Sequence, residues 1–301
     1  MSIPGDPVGR EWIEVSAANP ALVDEYRPGL VTFVAFDHDH DAHLVGTGFV
    51  TCGNAEMAIV ITARHVLDGV ARAQRPRGPM NLRLGPHDLR AVWMGKRSSS
   101  MLNVVHASCD EHSDLAACIV VPQEVDRQLF VPVSIPLHIV VPVIGQIVHM
   151  VSVDKMEVTE HARPMGHDKR GQVLSIERHL SVRLGTVTEV HLNGTRQYKW
   201  PCFTTSIPAE PGMSGGLVTL PGHNATVAAC GVVSADSFSG SAKADQMQCG
   251  NSIIACTWPA LKLQMPRAIG GNESPSYRSL LEMVRDGDVP RPVGLGDFTV
   301  T

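Results

Sequence analysis

The sequence predicts an all-β protein made of many short strands joined by turns. Val and Ile crowd its short apolar runs, and the 27 Gly and 21 Pro among 301 residues punctuate them. Aromatic residues are sparse at 5%, and a hydrophobic fraction of 44% against 18% charge is ample for a packed core in one large domain or two small ones. The net charge of -5 gives no reason to expect nucleic acid or an anionic membrane as a partner.

The elements follow in order. Met1 to Arg10 has neither a basic n-region nor an apolar h-region, so it does not read as a secretory signal peptide. Trp12 to Tyr26 is expected to be partly helical, and Val31 to Phe36 is the first strand. Asp37-His38-Asp39-His40-Asp41-Ala42-His43 contains residue types that ligate zinc or another divalent ion. No cysteine or second cluster completes a site, and a polar loop between strands needs no ligand, so no metal is assigned. Ile59 to Leu67 places His65 where a β-branched run hands over to a turn or short helix. His112 to Val121 places Asp114 at the opening of another apolar strand, a position where an acid is also an ordinary turn former. The longest apolar stretch, Ile135 to Val153, is broken by Pro136, His138, Pro142, Gly145, Gln146 and His149 and reads as paired strands, not a membrane span. Thr159 to Gln172, with Arg163, Lys169 and Arg170, reads as a long polar loop. Ser276 to Arg285 carries Tyr277, Leu280, Leu281, Met283 and Val284 at helical spacing, which predicts a C-terminal helix packed on a barrel.

Pro211-Gly212-Met213-Ser214-Gly215-Gly216 is the segment with the clearest chemistry. A serine in a glycine-flanked turn exposes a hydroxyl beside several backbone N–H groups, the pairing that acyl transfer requires: a nucleophile, and donors for the charge of a tetrahedral intermediate. A structural turn between strands has the same appearance. The chain order His65, Asp114, Ser214, each at the edge of a β-type segment, sets this constellation apart from a chance turn.

On these residues the chain resembles the trypsin-like serine peptidases of the chymotrypsin fold, in the manner of the HtrA/Deg type. The matching segments are Gly46-Thr47-Gly48-Phe49-Val50, Thr62-Ala63-Arg64-His65-Val66-Leu67, Asp114-Leu115-Ala116, Gly212-Met213-Ser214-Gly215-Gly216 and Gly231-Val232-Val233-Ser234. The resemblance implies two six-stranded antiparallel β-barrels, about 30–133 and 134–260, preceded by an extension (1–29) and followed by a tail (261–301) too short for a peptide-binding PDZ module. It implies His65 as general base, Asp114 as its orienting carboxylate, Ser214 as nucleophile, and the N–H groups of Gly212 and Ser214 as an oxyanion hole. Protein or peptide would be the substrate, with no metal or organic cofactor. Pro208 would lie at the specificity-pocket floor, with Ser234, Ala235 and Asp236 along the substrate strand; proline offers no charge to a basic side chain, which favours a small or medium apolar preference.

Two departures from the family pattern bear on control and location. The residue before the serine, an aspartate in trypsin-type zymogens, is Met213, which cannot pair with a newly cut amino terminus. Val66 stands where secreted relatives often carry a disulfide cysteine. The seven cysteines, Cys52, Cys109, Cys118, Cys202, Cys230, Cys249 and Cys256, form no recognisable spacing and are expected as buried thiols in a reducing cytosol. Three functions stay open: an active cytoplasmic endopeptidase, a peptidase kept latent until a regulatory partner or effector acts, and a noncatalytic binding protein of the same fold.

Overall fold

The β-branched runs pair into two closed antiparallel barrels. A computed structural model describes residues 12–36, 42–68, 89–96, 98–110, 112–161, 173–221, 227–236, 252–267 and 276–296. Six strands, β2 (Leu30–Phe36), β3 (Ala42–Gly53), β4 (Ala58–Ala63), β5 (Leu89–Met94), β6 (Ser99–Cys109) and β7 (Leu115–Pro122), close in the order β2-β3-β4-β7-β6-β5. A second six, β8 (Ile147–His161), β9 (Val173–His191), β10 (Cys202–Thr205), β11 (Leu217–Thr219), β12 (Ala229–Asp236) and β13 (Ser252–Cys256), run β9-β10-β13-β12-β11-β8, and β8 pairs with β9 to close the ring. This is the predicted chymotrypsin-like architecture. Closure pairs the strand edges around each ring, while β8 and β9 run on beyond the second ring as a two-stranded hairpin.

Burial on both faces accounts for the unbroken apolar runs. Every residue of β4 and of β13 is buried. Along the second barrel one set of side chains, including Met150, Phe203, Val218, Val233 and Ile254, forms its own cluster. Alternate residues such as Val151, Leu217, Val232 and Ala255 join the cluster that also holds the first barrel and the C-terminal segment.

Trp12 to Tyr26 is partly helical, as expected, over Pro20–Tyr26: Asn19 accepts from the Leu22 N–H at 3.2 Å, Pro20 sits at the first turn, and Val23 and Tyr26 are buried. Other local expectations are corrected. Trp12–Glu14 is instead a strand, β1, pairing with Arg183 to Gly185 of β9. The apolar stretch from Ile135 becomes regular strand only at Ile147; before it, Leu137 and His138 make isolated bridges to Ala229 and Val293. Pro136 and Pro142 have no N–H to give a ladder. Thr159 to His161, read as loop, continue β8 and pair with Val173 to Ser175; Arg163, Lys169 and Arg170 lie outside the described residues, as do 37–41.

The predicted C-terminal helix begins later than its apolar spacing suggested. Tyr277–Ser279 forms β15 against β14 (Gln264–Pro266), and the helix runs Leu280–Asp286. Ser279 and Glu282 form a capping box that fixes this start, and Gly287 ends the helix at φ 85°. Among the described residues no helix is long and apolar enough to cross a membrane.

Candidate active site

His65 and Asp114 are brought together by the pairing of β4 with β7. Ala63 pairs with Leu115 at the ends of these strands, and the Arg64 N–H donates to the Asp114 carbonyl at 3.1 Å. Residues 64–68 then turn helical, which projects His65 outward. Its Nδ1 lies 2.7 Å from Asp114 Oδ2, and its backbone N–H donates to Asp114 Oδ1 at 3.1 Å. The third donor to this carboxylate is the Ser234 hydroxyl, which bonds Oδ2.

Burial of a carboxylate is tolerated because these donors replace water. The Asp114 side chain is 9% exposed and that of His65 43% exposed, so the orienting group is shielded while the imidazole faces solvent. A carboxylate only accepts, so the Nδ1 it contacts carries a proton, and this tautomer presents Nε2 as the acceptor. Asp110 is engaged elsewhere: its carboxylate accepts from the Ser113 hydroxyl at 2.7 Å and the His112 N–H at 3.1 Å, shaping the turn that delivers Asp114.

Pro211 to Gly216 folds as two successive type II turns. The Met213 N–H donates to the Glu210 carbonyl at 3.1 Å, with Pro211 and Gly212 (φ 91°) in the centre; the Gly216 N–H donates to the Met213 carbonyl at 2.9 Å, with Ser214 and Gly215 (φ 82°) in the centre. Type II geometry needs a positive φ at its third residue, which is why glycine stands at both positions. Among the described residues the N–H groups of Gly212 and Ser214 donate to no protein acceptor. A Cβ on Gly215 would lie 2.0 Å from the Thr47 carbonyl oxygen and 2.2 Å from Thr62 Oγ1. The serine turn therefore packs directly on the strand that leads into His65.

Two side chains that sequence reasoning did not single out, Thr47 and Arg183, hold these turns together with Met213. Thr47 donates its N–H to the Ser214 carbonyl at 2.7 Å and its hydroxyl to the Gly212 carbonyl at 3.2 Å, while that hydroxyl accepts from the Val153 N–H at 3.0 Å. Its signal was the pair of small neighbours: a Cβ on Gly46 would meet the Ser214 carbonyl at 2.7 Å. Arg183, 3% exposed on β9, pairs with Glu210 at 2.9 Å and Asp154 at 3.4 Å, donates to the Pro208 carbonyl at 3.3 Å, and lies 5.0 Å from the Trp12 ring centroid. Glu210, in turn, supplies the carbonyl that closes the first turn. Met213 is fully buried among Val148, Met150 and Phe203 of the second barrel. The turn is thus anchored by an apolar side chain.

Of the other sequence-derived positions, Ser234 reaches the triad. Ser234 sits at a register shift in β12, and its side chain turns to Asp114. Ala235 and Asp236 continue β12 opposite Ile253 and Ser252, and nothing is described of their side chains. Pro208 is buried, its carbonyl held by Arg183. Six cysteines are free thiols, four buried and two half-buried; Cys249 lies outside the described residues. Among the described residues no group of His, Cys, Asp and Glu could hold a metal ion.

No family model matches this chain, and neither does any curated protein sequence. Among solved structures it is similar to Rv3671c from M. tuberculosis H37Rv, crystallised as an inactive serine-to-alanine mutant, at 18% identity and a TM-score of 0.43, over 80% of this chain and 87% of that one. A likeness of that size adds nothing to the architecture, which rests on the strand pairing itself.

Proposed function

We propose that the protein is a serine endopeptidase that acts on protein or peptide substrates through Ser214, His65 and Asp114. One observation carries this reading: a buried carboxylate with three donors fixes the tautomer of a solvent-facing histidine, beside a serine turn that leaves two N–H groups unused. Ser214 Oγ attacks the scissile carbonyl carbon while its proton passes to His65 Nε2. The electron pair displaced onto the carbonyl oxygen is met by the N–H groups of Gly212 and Ser214, each such donor being worth about 3 to 4 kcal/mol in the transition state. Collapse expels the amine, which takes the proton from His65, and leaves an acyl group on Ser214. Water, deprotonated by the same imidazole, then attacks the acyl carbon, and collapse releases the acid as Ser214 Oγ takes that proton back from His65.

The burial of Met213 supports a turn formed without amino-terminal cleavage and favours this reading over a latent peptidase. The six free thiols support a reducing compartment, such as the cytoplasm, as the place of action. An uncharged Pro208 supports a small or medium apolar residue before the cleaved bond. Hydrolysis of an unfolded protein such as casein, lost on Ser214→Ala with the melting temperature kept, is the expected test result. Equal hydrolysis by the variant would refute the assignment.

A further inference from the structure

A cavity of about 390 Å³ lies between the N-terminal helix and β9, within the size range of small-molecule sites. Arg27 and Arg178 both line it, and neither takes part in the proposed chemistry. Arg178 reaches the first barrel, where Nη1 donates to Thr32 Oγ1 at 2.8 Å and Nη2 to the Met94 carbonyl at 3.3 Å. Both partners are neutral. The acids nearby are engaged with other cations: Asp24 with Arg27 at 3.4 Å, and Asp154 with His179 at 2.7 Å and Arg183 at 3.4 Å. Among the described residues Arg178 therefore has no counter-ion.

Its surroundings make this costly. Burial first, and the Arg27 charge second, push the Arg178 pKa down to about 9, which leaves the guanidinium charged at neutral pH. The Arg27 Nε is itself buried without a hydrogen-bond partner. A guanidinium has five N–H donors, and Arg178 spends only two groups on the protein. Buried cations are normally paired. Here Arg178, half-buried and without a counter-ion, and Arg27, 35% exposed and paired with Asp24, meet at an open space lined also by Ser16, Asp24 and His179 and by Pro20, Val23, Met94 and Leu180, which offer apolar surface for a carbon skeleton.

We propose that this cavity binds a small molecule through an oxyanion group, a phosphate ester or a carboxylate, with Arg178 as the principal partner and Arg27 as the second. Guanidinium geometry suits either oxyanion. Asp24, which also lines the cavity, is 47% exposed and already paired with Arg27, so it leaves the Arg178 face open to an anion. The site does not depend on the peptidase reading.

Calorimetric titration of the full-length chain with inorganic phosphate and with malonate, at constant ionic strength in chloride, tests it. Saturable binding of at least one anion is expected, weakened more than tenfold by Arg178→Gln and less by Arg27→Gln, with Ser214→Ala binding as wild type does. The tighter anion separates the phosphate source from the carboxylate one. Thermal melting guards against a folding artefact: without anion Arg178→Gln should melt at or above wild type, because it removes an unpaired cation, and only wild type should gain on adding anion. Absence of saturable binding, or binding undiminished by Arg178→Gln, would overturn the site. So would an Arg178→Gln variant that melts well below wild type with and without anion, since Arg178 would then serve only to tie Thr32 to Met94.

Discussion

Gly212→Ala separates the conformation of the serine turn from its chemistry. A Cβ at this position meets Leu44 Cδ2 at 2.5 Å and the Val153 carbonyl oxygen at 3.2 Å. Leu44 is half-buried, and its methyl is the end of a flexible side chain, so it can yield. The φ of 91° cannot be relieved so easily, and holding an L-residue there costs roughly 1 to 2 kcal/mol. Relaxation to a type I turn removes that cost by rotating the Pro211–Gly212 peptide, which carries the Gly212 N–H away from its open direction. A bias of roughly 1 to 2 kcal/mol depletes the competent turn about 5- to 30-fold, and complete loss of the donor costs about 10² to 10³ in turnover. The variant should therefore lose between about fivefold and a thousandfold in kcat/KM and in its rate of reaction with a fluorophosphonate probe. Its melting temperature should fall by only about 2 to 8 °C. Kinetics within twofold of wild type would show that the Gly212 amide does not stabilise the transition state.

Three other perturbations follow from the same geometry. Asp114→Asn should fold normally but lower turnover on the order of 10⁴-fold near neutral pH, because an amide favours the wrong histidine tautomer; activity within a few-fold of wild type would mean that Nδ1 is oriented otherwise. Met213→Ala should cost about 2 to 5 kcal/mol in denaturant unfolding, for the cavity left in the second barrel, and should lower activity further as the turn loosens; a variant as stable as wild type would contradict the apolar anchor. Burial pushes the Cys118 and Cys230 thiols up, and takes Cys256 to about 12. The thiolate is the reactive form, so these three should resist iodoacetamide near pH 7.5 in the native state, and full-length protein should keep its activity in dithiothreitol. Mass spectrometry of alkylated protein, with an assay in reductant, checks both.

What the sequence made legible was local. His65 and Asp114 stand at strand ends because β-branched runs stop where the residue pattern changes, and Pro211 to Gly216 spells out its turns through Pro and Gly. The helix start at Leu280 was also encoded, in Ser279 and Glu282, but apolar spacing alone placed it too early. What stayed hidden depends on partners far along the chain. Trp12–Glu14 is too short for any period, and becomes a strand because the exposed edge of β9 accepts it beside β10. Arg183 reads as one polar residue among the alternating positions of a strand, yet it is buried where Glu210, Asp154, Pro208 and Trp12 meet. Thr47 likewise gains its meaning from Gly212 and Ser214, more than 160 residues away.

The central claim is that Ser214 is a nucleophile activated by His65. The most direct measurement is reaction of the full-length, unclipped chain with a fluorophosphonate, followed by tandem mass spectrometry of the digested adduct. A single adduct on Ser214, absent from Ser214→Ala and slowed by His65→Ala, is the result expected. An adduct on another residue, or labelling that survives Ser214→Ala undiminished, would contradict it.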